Sequence, residues 1–175
     1  MTTSTTKARS ATIDTPIGPF TVIVIIDTDG TPTVLASGWT DSTGELLPLI
    51  APDLRPSKVE AVDHIDGVTD RVIAYHRGDL HAIDDVAVAQ HSGEFLEHAW
   101  DVLRAVPAGS PVTYTEFAAK SGRPRAVRAA GSACSKNAAA LFVPCHRVVP
   151  STGGVGHFRW GPPVKNWLLA HEASN

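Results

Sequence analysis

The stretch from Thr113 to Ser135, TYTEFAAKSGRPRAVRAAGSACS, decides the architecture of the C-terminal half. Thr113 and Glu116 have the spacing of a capping box, in which a hydroxyl and a carboxylate satisfy backbone N–H groups that the first helical turn leaves without partners. Phe117 and Ala118 continue a short helix, Gly122 and Pro124 make a turn, and a second helix is expected from Arg125 to about Ser135. Its exposed positions carry Arg125 and Arg128, and its body is Ala126, Ala129, Ala130, Gly131 and Ala133. Helix, turn and basic helix together suggest a helix-turn-helix. A helix clothed in small residues is thin enough to approach a narrow surface with Arg128 projecting from it, which suits DNA. Small residues equally let helices pack tightly on one another, with Arg128 merely solvated.

Outward from this stretch the pattern stays helical. Ser92 is a candidate N-cap, and Phe95, Leu96, Ala99, Trp100 and Leu103 form an apolar stripe that Pro107 and Gly109 stop. Downstream, Pro162 and Pro163 mark the start of a helical run from Val164 to Glu172. The first half has a different texture. Thr12 to Asp14 and Phe20 to Ile26 read as strands around the turn residues Pro16, Gly18 and Pro19, and Asp27 to Gly30 breaks the pattern before Thr33 to Ser37 resumes it as a hairpin. Residues 40–65 carry no clear period. A helix is expected around Val68 to His76, ended by Gly78, and Ile83, Val86 and Val88 offer one more strand. The division is a disordered tail over residues 1–10, an α/β domain over 11–90 and a helical domain over 91–175.

The chain has 175 residues, 43% of them hydrophobic, enough for one substantial core or two small ones. Its longest apolar run, Phe20 to Ile26, is too short to cross a bilayer, and the polar N-terminus lacks the apolar core of a signal peptide, so a cytoplasmic protein is expected. Cys134 and Cys145 are the only cysteines, read as free thiols, and with scattered histidines they make no closed metal site. No glycine-rich nucleotide loop follows a strand, and no organic cofactor is expected. The net charge is -3, yet residues 1–90 carry 6 Lys and Arg against 13 Asp and Glu, whereas residues 91–175 carry 9 against 5. A basic half joined to an acidic one suits contact with a polyanion, or is an incidental surface asymmetry.

Leu141 to Val149, LFVPCHRVV, places Cys145 between Pro144 and His146 in an otherwise apolar run. A thiol attacks as its thiolate, so a reactive cysteine needs a base or positive field to lower its pKa, and His146 is the nearest group able to supply it. Adjacent side chains of an extended segment point apart, so His146 would work through a bridging water or across a bend. Glu172 is the candidate carboxylate to orient the imidazole. The alternative is a cysteine that serves as a small buried hydrophobe.

Pro144-Cys-His-Arg-Val148 resembles the active-site signature of the O6-alkylguanine-DNA alkyltransferases, also called methylated-DNA–protein-cysteine methyltransferases. The resemblance extends through Thr113 and Tyr114, Arg128 to Gly131, Asn137, Ser151, Gly153 to Gly156, Val164 and Lys165, and Trp167 to Glu172, and reaches the first half mainly through Asp14 to Pro19. It implies an α+β fold: a small N-terminal α/β (ribonuclease-H-like) domain and a C-terminal helical domain with a winged-helix-like helix-turn-helix. It also implies an irreversible, single-turnover transfer of an alkyl group from O6-alkylguanine, and O4-alkylthymine, in duplex DNA to Cys145. His146 would be the water-mediated base, Glu172 its orienting carboxylate, Asn137 a brace and Tyr114 a proton donor to the guanine ring. Tyr114, Thr115, Arg123, Arg128 and Ser151 would meet DNA from the minor groove, Arg128 filling the space of the extruded base. Val148, Val155, Phe158, Arg159 and Trp160 would form the alkylguanine pocket. The resemblance implies no metal here, because residues 1–90 contain no cysteine for the zinc site of some relatives. The expected solution state is a monomer, with cooperative coating of DNA left open.

Three other functions compete. An alkyltransferase-like binding module characteristically replaces the acceptor cysteine, which this chain keeps. A cysteine hydrolase using Cys145 with His146, His157 or His171 would need an oxyanion hole, for which no motif is evident. A transcription factor using the helix-turn-helix alone leaves Pro144 to Val148 unexplained.

Overall fold

The computed structural model describes residues 7–175. Two long strands, β1 (Lys7–Thr15) and β2 (Gly18–Ile26), pair antiparallel in unbroken register from Lys7 with Ile26 to Thr15 with Gly18. The turn between them needs a left-handed residue, and Gly18 supplies it at φ 109°. β3 (Pro32–Gly38) lies antiparallel on β2, and the two-residue β4 (Glu60–Ala61) lies parallel on the free side of β1, giving the order β3-β2-β1-β4. Alternation along β2 sends Phe20, Val22 and Val24 to one face and Ile23 to the other. The second face is covered by Leu46 of the short helix α1 (Thr43–Leu46) and by Ile50. On the first face lies α2 (Thr69–His76), which buries Val72 and Tyr75 in a cluster that continues into the C-terminal half.

That half consists of α3 (Glu94–Arg104), β5 (Val112–Thr113), α4 (Tyr114–Lys120), α5 (Val127–Ser135), β6 (Val148–Val149) and α6 (Pro162–Ser174). The capping box at the start of α4 is formed in both directions, Glu116 N–H to the Thr113 hydroxyl at 3.1 Å and Thr113 N–H to the Glu116 carboxylate at 3.0 Å. The indole N–H of Trp100 donates to the Ala133 carbonyl at 2.8 Å and fastens α3 to α5. The parallel ladder of Val112 with Val148 and Thr113 with Val149 ties the start of α4 to the segment after Cys145. Ser37 crosses between the halves, its N–H donating to the Ala138 carbonyl at 2.9 Å and its hydroxyl to that of Ala140 at 2.7 Å. Among the described residues no helix is long and apolar enough to cross a membrane.

Several elements differ from the sequence reading. The tail expected over residues 1–10 is ordered from Lys7, because Ala8 and Ser10 are small enough to be buried between β2 and β4 while Arg9 reaches Glu60 at 3.9 Å; residues 1–6 lie outside the described part. No strand spans Ile83 to Val88; Val88 alone bridges to Val34. Arginines satisfy this segment's carbonyls in place of a ladder, Arg71 taking that of Ala82 at 3.2 Å and Arg104 those of Asp84 and Val86 at 3.1 and 2.8 Å. Gly93, not Ser92, is the N-cap of α3, and Ser92 instead donates its N–H to Glu97. Helix α5 begins at Val127, leaving Arg125 in the preceding turn.

Candidate active site

Cys145, His146 and Arg147 occupy a single 3-10 turn, not an extended segment, so neighbouring side chains are fanned to different partners. The turn is entered through Leu141, which is fully buried and held at φ 79°, a left-handed conformation that costs a branched residue of order 1–3 kcal/mol. Asn137 secures the approach, donating from Nδ2 to the Val143 carbonyl at 2.8 Å and accepting at Oδ1 from Ala139 N–H at 3.0 Å and from Gln90 Nε2 at 2.8 Å.

Behind the turn stands Glu172 of α6, buried among four donors. His146 Nε2 is 2.8 Å from Oε2, Arg147 donates from Nε to Oε1 at 3.0 Å and from Nη2 to Oε2 at 2.9 Å, and Tyr75 donates its hydroxyl to Oε2 at 2.6 Å. Burial alone would raise the Glu172 pKa, but the hydrogen bond of His146 and the bonds and charge of Arg147 outweigh it and hold the carboxyl far below its ordinary range. Burial pushes the His146 pKa down against the pull of Glu172, so a neutral imidazole faces an ionised carboxylate. A carboxylate only accepts, which assigns the proton to Nε2 and leaves Nδ1 as an acceptor. That Nδ1 is buried and has no hydrogen-bond partner among the described residues.

The Cys145 thiol is only 8% exposed. Its pKa is raised, not lowered: burial dominates over the Asn137 hydrogen bond and the charges of Lys165 and Arg159. The resting group is therefore a thiol that becomes a nucleophile only when a base removes its proton. Lys165, 1% exposed, was not singled out as a site residue from the sequence, yet its ammonium donates to the Val148 carbonyl at 2.7 Å and lies 5.9 Å from the Tyr114 ring centroid. Burial lowers its pKa, and the two cysteine sulfurs oppose that.

Cys145 opens on a cavity of about 540 Å³ lined by Tyr114, Cys134, Asn137, Phe158, Arg159 and Trp160, among others. Burial, then the charges of Cys134 and Cys145, push the Tyr114 hydroxyl up to about 12, so it stays protonated. Val148 and Val155 do not line this cavity: Val148 is fully buried in β6 and Val155 half-buried in the loop after it. Arg159 donates to the Ser135 carbonyl at the end of α5, and both residues also line a second, smaller groove of about 280 Å³. Thr115, Arg123, Arg125, Arg128 and Ser151 are all exposed. Arg123 lies 4.8 Å over the Phe95 ring, so part of its guanidinium is already engaged. Beside Arg128, Val127 is the only large apolar side chain classed as exposed among the described residues. No side chain caps α5, whose first-turn amides remain open at its positive end.

Tyr75, Arg147, Gln90 and Lys165 complete the site and were missed from sequence. Two left signals: Arg147 is a charge inside an apolar run, and Lys165, Leu168 and Glu172 share one helical face at spacings of three and four. Nothing local marks Tyr75 or Gln90.

Residues 94–174 match the family model described as 6-O-methylguanine DNA methyltransferase, DNA binding domain. The methylated-DNA–protein-cysteine methyltransferase of Salmonella typhimurium is 33% identical over 162 residues, 91% of this chain and 92% of the relative. The human protein of the same name is 47% identical over 73 residues, 42% of this chain and 35% of the relative. A structure of Mycobacterium tuberculosis OGT in complex with DNA superposes with a TM-score of 0.74 at 28% identity, covering 95% of this chain and 93% of that one. With a relative this similar along nearly its whole length, the chain belongs to the methylated-DNA–protein-cysteine methyltransferase family.

Proposed function

We propose that this protein repairs DNA directly, by moving an alkyl group from O6 of guanine, or O4 of thymine, in duplex DNA onto Cys145. The observation that carries the reading is a buried thiol beside a His–Glu pair, opening on a cavity lined in part by α5, whose exposed first turn carries Arg128. The unpartnered Nδ1 of His146 supports a water-mediated proton transfer, since a buried acceptor left without a bond costs about 1–3 kcal/mol and a bridging water removes that cost. The thiol proton passes through that water to Nδ1. The thiolate sulfur then forms a bond to the alkyl carbon as the carbon–O6 bond breaks, and the electron pair stays on guanine. Tyr114, protonated and lining the cavity, supplies the proton that guanine takes up, and exchange with solvent returns His146 and Tyr114 to their starting forms. The thioether is a poor leaving group, so each chain reacts once.

DNA approaches along α5 through its minor groove. Arg128 enters the stack as the damaged base leaves it, and Thr115, Arg123 and Ser151 hold the backbone, helped by the open amides of α5. The protein acts in the cytoplasm as a monomer, with no cofactor. Mixing it with duplex DNA containing O6-methylguanine should add one methyl group per chain by intact mass, and substrate loss should stop at one equivalent. Sustained turnover, or a methyl group mapped to another residue, would overturn the reading.

Base extrusion costs a few kcal/mol, and Arg128 compensates part of it. Arg128→Ala should therefore slow repair of duplex DNA roughly tenfold or more while leaving the reaction with free O6-benzylguanine nearly unchanged. Equal loss on both substrates would remove Arg128 from the flipping step.

A further inference from the structure

The part of the cavity wall formed by residues 157–160 is not self-supporting. It is held at three points: Arg159 on the Ser135 carbonyl, Phe158 beside Trp39 with ring centroids 6.0 Å apart, and Trp160 on Gly38. Two of these three supports come from the N-terminal half, Gly38 as the last residue of β3 and Trp39 directly after it. Gly38 is buried and does not adopt a positive φ, so its backbone conformation does not require glycine. What requires glycine is space. A Cβ built there would fall 2.7 Å from Trp160 Cη2 and closer still to Cζ2 and Cε2, inside the indole. The neighbouring Ser37 is bonded to the Ala138 and Ala140 chain, and Trp39 is wedged edge-on against Phe20 at 4.9 Å, so the strand end cannot retreat. The indole must move instead, and Trp160 is one of the residues that line the cavity.

We infer that Gly38 is a specificity-determining position for alkyl transfer. By lacking a Cβ it lets the Trp160 indole seat back against the strand and sets the free width of the alkyl cavity from the other domain. This rests on the cavity being the alkylguanine site. A side chain at position 38 pushes the indole into the cavity, where one misplaced carbon in a fitted pocket changes selectivity about 10-fold or more.

The test is a cycle of Gly38→Ala, Trp160→Gly and the double variant, each assayed for methyl uptake from O6-methylguanine duplex and for inactivation by free O6-benzylguanine. Gly38→Ala should lower the benzyl-to-methyl rate ratio about 10-fold in the presence of Trp160. In the Trp160→Gly background, where the ratio should rise, adding Gly38→Ala should leave it unchanged. Should Gly38→Ala alone fail to fold, the double variant should fold, because the clash is gone. An unchanged or raised ratio in Gly38→Ala, an equal drop in both backgrounds, or failure of both proteins to fold would overturn the inference. A wild type that takes up no methyl group would instead overturn the assignment of the cavity, so the two failures are distinguishable.

Discussion

Glu172→Gln should be the most destabilising single substitution in the site, with a loss of about 3–5 kcal/mol, the usual consequence of breaking a buried ion pair from one side. The carboxylate accepts from His146, Arg147 and Tyr75 at once, and a glutamine turns one of its two acceptor atoms into a donor facing donors. For a chain of this size the transition temperature should fall by roughly 10 °C, read by thermal unfolding. A fall of less than about 1 kcal/mol would mean that the pair contributes as little as a surface salt bridge.

The same residues set the acid limb of stability. Glu172 has a folded pKa below its unfolded value, so its contribution is complete above the ordinary carboxylate range and is lost as pH falls through that range and below. His146 is also pushed down; the unfolded chain binds a proton there from about pH 6.5 downward while the folded chain resists, so this contribution too is lost on acidification. Wild-type stability should decline from about pH 6.5, and Glu172→Gln should flatten the part of that decline in the carboxylate range.

Cys145→Ser should lose methyl uptake altogether while still binding DNA, because a buried alcohol offers the His146 base a far weaker acid than the thiol and is nearly the same size. Intact mass and a mobility-shift titration check the two halves of that statement. Cys134 makes the result sharp. It lines the same cavity, but it stands on α5 and does not share the turn that holds His146, and burial raises its pKa, so it should not take over. A methyl group on Cys134 in the serine variant would show that the cavity, and not the His–Glu pair, selects the acceptor.

Elements with local signals were legible from sequence. The capping box at Thr113, the turn at Gly122 and the start of α6 at Pro162 are each written in residues within a few positions of one another. Glu172 was also reachable, since a histidine serving a cysteine calls for an orienting carboxylate and the helical run from Val164 supplied one. What could not be read is whatever depends on distant partners. Ile83, Val86 and Val88 look like a strand by composition, but two arginines took carbonyls along that segment. Tyr75 donates to a carboxylate 97 positions away, and Gln90 to an asparagine 47 positions away. The raised pKa of Cys145 follows from how deeply the turn is buried, which no spacing of residues encodes.

The bond from Tyr75 to Glu172 also bears on how such a protein can be rearranged by recombination. The matched family model spans residues 94–174, which invites exchange of the N-terminal half for another small α/β unit. Yet α2 contributes the phenol that completes the coordination of the carboxylate in the other half. A transplanted half would have to bring a hydroxyl to that same point in space, or the graft would weaken a catalytic centre to which it contributes no nucleophile.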